Sequence, residues 1–348
     1  MDAALGPTDQ SAHGAGMGTG PSCRGGGLTA LLDAVATAGE RLIAASDGRI
    51  AFDPRRALSR ADDLDLAPPG EWSPNRHCRL IPCQDEWIAV SLARDADRDL
   101  VPAWTGSGFD EAPWDAIAAS ARARPATAMV ADGVALHLPV ARIGEASPFK
   151  APDLYEGARD NGRVLDLSAL WAGPYCGALL AEAGHEVVKV ESTARPDPTP
   201  VHTPRLDRRL NGRKRRRNIL FEPGALMAMV AKARVLITSG RPHALARLGL
   251  GEAEVFAANP DLLWIAITAH GWRGDAAMRV GFGDDCAAAG GLVAWNGDRP
   301  NFMGDALADP LTGIVAATLA LEALAAGQCG VIDIALARTA AHFARIVA

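Results

Sequence analysis

The sequence predicts an α/β protein: an open parallel sheet with helices on both faces, plus a smaller α+β domain ahead of it. Three observations carry this. In the second half, short apolar runs alternate with helix-period segments, the pattern of parallel strands buried on both sides. The first such unit, "RVLDLSALWAGPYCGALLAEAGHEVVKVE" from Arg163 to Glu191, reads as strand, small-residue turn, helix and strand. A stretch rich in Pro, Gly and Asp, "GEASPFKAPDLYEGARDNG" (144–162), separates it from what precedes it.

Taken in order, residues 1–27 lack a basic segment followed by an apolar core, so they read as a disordered tail and not a secretory leader. Leu28–Ser46 has helical spacing of Leu, Val and Ile. "DGRIAFD" is a hairpin or edge-strand candidate. Cys78–Cys83 and Trp87–Ala93 are strand-like runs joined by a polar turn. Helices are expected at Asp95–Trp104, Asp110–Arg124 and Ala126–Leu138, and "PVARI" closes the α+β domain, residues 28–143. After the linker 144–162, the large domain 163–348 has strands at Val164–Leu167, Glu186–Val190, Val235–Thr238, Leu262–Thr268 and Val331–Leu336. Helices fall between them at Pro174–Ala183, Pro223–Lys232, Glu252–Ala258 and Asp309–Ala326. The result is a Rossmann-like sheet with right-handed crossovers.

Composition narrows the function. Apolar residues are 49% and charged residues 22% of 348, as in globular proteins, and the net charge of −6 argues against a general nucleic-acid binder. Six scattered cysteines, Cys23, Cys78, Cys83, Cys176, Cys286 and Cys329, form no C-x-x-C pair, so no metal site is expected and a reducing, cytoplasmic setting is. No apolar stretch is read as reaching the roughly 18 residues of a membrane span.

The loop after the first strand of the large domain is Trp171-Ala172-Gly173-Pro174, not the G-x-G-x-x-G of a dinucleotide site. Pro174 fits the first helical position, Gly173 allows close backbone approach and Gly184 suits the residue after the helix. The free amides at Ala172–Cys176 can face an anion or a carbonyl oxygen, or the turn is structural only. "RLDRRLNGRKRRR" (205–217) is a dense basic run, which reads equally as a solvated or partner-binding face. Asp309, before Pro310 at the start of an apolar helix, reads by itself as an N-cap with Pro at the first helical position. Asp284 and Asp285 read as turn or cap residues.

Several strings occur in one order: the 163–191 unit, "LNGRKRRRNILFEP", "ARVLITSGRPHALARLGL", "NPDLLWIAITAHGWRG", "VGFGDDCAAAGGL", "GDALADPLTGIVAATLALEAL" and "GVIDIALARTA". This ordered set, from Arg163 to Ala341, resembles family III CoA-transferases, the group that includes formyl-CoA and carnitine CoA-transferases and α-methylacyl-CoA racemase. "SPNRHCRLIPCQDEWIAVSLAR" and "VALHLPVARI" resemble that family's small domain, which in ordinary members follows the large domain's core motifs; here it precedes them, as in a circular permutation or the remnant of a tandem fusion.

The resemblance implies CoA or acyl-CoA as substrate, a carboxylic acid acceptor, no metal, no membrane or nucleic-acid partner and an intertwined homodimer. It places the catalytic aspartate at Asp309 within D-x-x-x-G, forming a mixed anhydride and then an aspartyl-CoA thioester. It sets Asn211 and Lys214 of an Asn-x-x-Lys segment, with Arg213 between them, against the adenosine end, Arg247 near the phosphates, and Ser239, Gly240 and His270 on CoA-contacting loops. The arginine expected just after the second strand is absent at Ser192 and Thr193, and Arg195 stands in for it. Trp171, Ala172 and Gly173 would form the oxyanion and pantetheine side. Trp171 stands where formyl-CoA transferases carry a glutamine, which implies a larger or less polar acyl group. The racemases' histidine falls at Phe282, which cannot take a proton, so racemisation is disfavoured. The competing readings are a non-catalytic CoA-binding homologue and a nucleic-acid-associated protein using Arg205–Arg217.

Overall fold

The computed structural model describes residues 27–157 and 162–348, so the expected tail lies outside the described residues except for Gly27. The elements before the linker are α1 (Gly27–Ala45), α2 (Pro54–Ala57), β1 (Cys78–Pro82), β2 (Trp87–Ser91), α3 (Asp95–Asp99), α4 (Val101–Thr105), α5 (Pro113–Arg122), α6 (Ala126–Ala135) and β3 (Val140–Arg142). The rest are β4 (Tyr155–Glu156), β5 (Arg163–Asp166), α7 (Ala172–Glu182), β6 (Val187–Ser192), α8 (Thr199–His202), α9 (Pro204–Asn211), β7 (Arg215–Ile219), α10 (Pro223–Val230), β8 (Ala233–Thr238), α11 (Pro242–Arg247), α12 (Glu252–Ala258) and β9 (Leu263–Thr268). The chain ends with α13 (Gly283–Ala289), β10 (Val293–Asn296), β11 (Arg299–Phe302), α14 (Ala308–Ala326), β12 (Gln328–Ala335) and α15 (Leu336–Val347).

The main sheet has seven strands in the order β4-β12-β9-β8-β5-β6-β7, parallel except for β4. From β5 the chain moves out through β6 to β7, then crosses back to β8 on β5's other side. The order therefore reverses between β5 and β8, and a crevice opens beyond their carboxyl ends. Alternate strand residues divide between two cores. Val164, Val235, Ile237, Leu263, Ile265 and Ile267 face α7, α14, α15 and α1. Leu165, Leu236, Trp264 and Ala266 face the layer that includes Leu226, Val230 and Val255. Burial on both faces is why these strands read as continuous apolar runs.

β1, β2 and β3 form a separate antiparallel sheet. One face packs on Val101, Trp104, Ile117 and Met129. The other, through Cys78, Leu80 and Ala89, packs on Ala288, Val293 and Phe302 of the sheet half.

Several expectations change. The boundary at 143/144 does not describe α1, because Leu31, Val35 and Leu42 share the core of α7 and α14, and Arg41 Nε donates to Glu322 at 2.6 Å. The linker packs against the sheet half: β4 pairs with β12, and the Gly144 and Ala146 amides donate to the Ala288 and Ala289 carbonyls of α13. The helix expected over Asp95–Trp104 is two, broken at Leu100, where Pro102 starts the second. α14 is long and apolar enough to cross a membrane, against the sequence reading, but 67% of it is buried inside the protein.

Candidate active site

The crevice forms where two loops leave the sheet. After β5, the chain turns through Leu170, whose φ of 68° is left-handed, into α7. The helix starts at Ala172, two residues before Pro174, with Trp171 at the N-cap; Gly184 at φ 101° follows the C-cap as expected. After β8 comes Ser239, whose Oγ accepts from the Ala169 amide at 2.9 Å and ties the two loops together. Gly173 is required here, because a Cβ would stand 2.3 Å from the Ser168 side chain.

Asp309 is brought to this loop by α14. It lies inside the helix's first turn, with Leu307 at the N-cap, so it is not a capping residue. Gly313, one turn on, lets the two helices close: its absent Cβ would meet the Ala172 carbonyl at 2.9 Å and Tyr175 at 3.0 Å. The Ala172 amide, at the positive end of α7, acts on the Asp309 carboxylate and draws its pKa down. Gly283 makes room on the other side, since its Cβ would stand 2.3 Å from Asp309 Oδ2. Asp309 keeps part of its surface open to solvent.

Three further carboxylates surround it. The protein packed around Asp309 pushes its carboxyl up to about 7; Arg60 pulls it down, and Asp305 and Asp285 push it up again. Burial and Asp305 push Asp284 up to about 7, against hydrogen bonds from Asn75 and Ala306. Arg60 donates to Asp305 through Nε at 2.6 Å and Nη2 at 3.1 Å, and its guanidinium lies 5.2 Å from the centroid of the buried Trp171 ring. Asn75 Nδ2 bridges Asp284 Oδ2 (2.8 Å) and Asp305 Oδ1 (2.6 Å). These two residues come from the N-terminal half. The sequence does not point to them. Of the two aspartates expected as turn or cap residues, Asp285 does cap α13, accepting from the Phe282 amide at 2.9 Å, while Asp284 is 4% exposed and bonds across to Asn75 and Ala306.

Around the mouth the charge reverses. Arg195 follows β6, Arg241 and Arg247 follow β8, and Arg94 follows β2. Burial, then Arg94, Arg195 and Arg247, lower the pKa of Arg241, so the four guanidiniums share one field. Arg195 and Arg247 are exposed, as is Ser239, while Gly240 is half-buried. Arg94 lies 5.6 Å from the ring centroid of Phe282, which adjoins Gly283 and links the basic mouth to the acidic floor.

The structure does not bring every expected residue here. Lys214 has a fully buried side chain; its Nζ donates to Asp166 Oδ2 (2.7 Å), Pro174 O (2.7 Å) and Asn211 Oδ1 (2.9 Å). Asn211 is 2% exposed and donates to Asp207. Neither can contact a ligand from there; they hold β5, α7 and α9 together behind the crevice. Burial alone would raise Asp166, but Lys214 and Lys189 outweigh it and hold it down to about 2. Arg213 is exposed in the turn before β7, at the sheet's opposite end. Arg215 and Arg217 line a cavity of about 340 Å³ at that end. His270, after β9, is buried at 6% exposure, and burial followed by Arg279 and Arg338 pushes it down to about 3. A larger cavity of about 630 Å³, lined by Lys150, Tyr155 and Asp333, lies by β4 and β12, away from Asp309.

The family model for CoA-transferase family III matches residues 160–347, which hold the whole parallel core of the main sheet, the crevice loops and Asp309. The chain belongs to CoA-transferase family III. This family III chain is 33% identical over 198 residues to succinyl-CoA–D-citramalate CoA-transferase of Chloroflexus aurantiacus, covering 51% of this chain and 48% of that protein. It is 30% identical over 198 residues to succinate–glutarate CoA-transferase of Agrobacterium fabrum, covering 50% of each. Among solved structures, a CAIB/BAIF family protein from Brucella suis aligns with a TM-score of 0.46 at 26% identity, covering 54% of this family III chain and 55% of that one. The chain spans about half the length of the curated relatives it matches.

Proposed function

We propose that the protein is an acyl-CoA:carboxylate CoA-transferase with Asp309 as its covalent nucleophile. One observation carries this: a partly exposed carboxylate in the first turn of α14, packed against Gly283 and brought to the start of α7 by the close approach at Gly313, at the crevice where the strand order reverses. An Asp309 oxygen attacks the donor's thioester carbonyl, the C–S bond breaks, and CoA leaves as thiolate, giving a mixed anhydride. The thiolate attacks the Asp309 carbonyl, and the donor acid leaves as its carboxylate from an aspartyl-CoA thioester. The acceptor carboxylate repeats both steps in reverse, so bonds balance and no net proton is taken up. The Ala172 and Gly173 amides, the first two of α7, are assigned to hold the oxyanions as they develop. Arg195, Arg241 and Arg247 supply the charge that a CoA diphosphate and 3′-phosphate need. The acyl donor, the acceptor and a homodimeric state belong to the same reading.

The test is intact mass after incubation with several acyl-CoA donors. The wild type is expected to gain hydroxylamine-sensitive acyl or CoA adducts, and Asp309→Ala none. Wild-type protein that stays unmodified with every donor and exchanges no CoA overturns the transferase reading. CoA that nevertheless raises the thermal midpoint would leave a CoA-binding homologue.

A further inference from the structure

α13 carries a second set of chemical groups that the transfer does not use. One imidazole nitrogen of His270, a carboxylate oxygen of Asp285 and the Cys286 sulfur all lie within 4.8 Å of one another. His270 is 6% exposed and Asp285 and Cys286 are 0% exposed. His270 Nε2 is buried with no hydrogen-bond partner. Such a group costs about 1–3 kcal/mol unless something satisfies it. Asp285 is anchored through one oxygen: Oδ1 accepts from Ser91 Oγ at 2.7 Å and from the Phe282 amide at 2.9 Å. Its Oδ2 faces Cys286 Sγ at 3.8 Å. Gly281 leaves space beside both atoms, because the Cβ it lacks would stand 2.6 Å from the sulfur and 2.8 Å from Oδ2.

We propose that His270, Asp285 and Cys286 bind one borderline divalent cation of the zinc type. Nitrogen, carboxylate and sulfur donors together are the set that zinc takes. Ligand atoms around tetrahedral zinc stand about 3–4 Å apart, so side-chain shifts of about an ångström close the present spacing. Burial, Asp285 and Asp309 push the Cys286 thiol up, and a bound dication reverses this by deprotonating it. Two arginines face the cluster, each with a carboxylate of its own, although Arg279 Nε has no partner. Arg279 donates to Glu145 at 2.6 Å and to Val140 O at 2.9 Å, and Arg338 pairs with Asp333 at 3.6 Å. The cation would join the loop after β9 to the first turns of α13, leaving a fourth position for water. The site stands independently of which acid Asp309 transfers.

The test uses tag-free full-length protein stripped with chelator, then loaded with Zn²⁺ or Co²⁺ and gel-filtered. The expected result is one zinc per chain, a raised thermal midpoint, and a sulfur-to-cobalt charge-transfer band in the Co²⁺ form. Cys286→Ser is expected to lose the band, and His270→Gln to bind at least tenfold more weakly. Wild-type protein that retains no zinc, or a Co²⁺ form with no thiolate band, overturns the proposal without recourse to any variant. Equal zinc retention by wild type and both folded variants overturns it as well.

Discussion

At the scale of single residues, Gly283 and Asp309 depend on each other. A methyl group at 283 would stand 2.6 Å from the Ala306 carbonyl as well as against the carboxylate. Backbone cannot swing away as a side chain can, so Gly283→Ala is expected to destabilise by about 1–3 kcal/mol and to cut adduct formation more than tenfold. Urea unfolding and intact mass measure the two effects. The raised Asp309 pKa fixes a pH dependence: only the carboxylate attacks, so the adduct rate should rise with pH and level off above about 7. Asp284 acts on stability. Its folded pKa lies above the unfolded value, so the folded state holds its proton longer, and stability falls as pH rises from about 4 to about 7. Asp284→Asn should flatten that fall in denaturant midpoints measured across the window. None of these carboxylates announced itself locally. The resemblance singles out Asp309, but Arg60 and Asn75 lie 245 and 230 positions from Asp305, and only the fold reveals those contacts.

At the scale of elements, the approach of α14 to α7 sets the site. Gly313→Val would wedge the two helices apart at the Ala172 carbonyl, and a fall in thermal midpoint together with loss of adduct is the expected outcome. The buried Lys214–Asp166 pair supports α7 from behind. Lys214→Met leaves a buried carboxylate without its partner, and a loss of about 3–5 kcal/mol in urea unfolding is expected. The elements legible in the sequence were those whose burial writes a pattern: β5, β6, β8 and β9 are apolar because both faces are covered. β7 was missed because it is an edge strand reading Arg-Arg-Arg-Asn-Ile, four of its five residues exposed. The basic run therefore looked like one patch. Packing divides it, sending Lys214 to Asp166, Arg216 to Asp207 and Arg209 to the carbonyls of Arg56 and Ser59.

At the scale of the whole molecule, the two halves share surfaces that neither could leave uncovered. α1 lies in the core of the main sheet, and the antiparallel sheet rests on α13, β10 and β11. Thermal unfolding followed by tryptophan fluorescence and by far-ultraviolet circular dichroism should give coincident transitions; two separated midpoints would show halves that melt independently. The interleaving was not legible, because the linker's composition marks a break in pattern and not a break in packing. The reversal of charge between mouth and floor has a further consequence. Arg94, Arg195, Arg241 and Arg247 stand outside, and Asp284, Asp305 and Asp309 stand inside with Arg60 as the cation bonded among them. An elongated molecule with anionic groups concentrated at one end therefore meets a built-in compass: the field draws that end to rest at the rim and leaves the other pointing at Asp309.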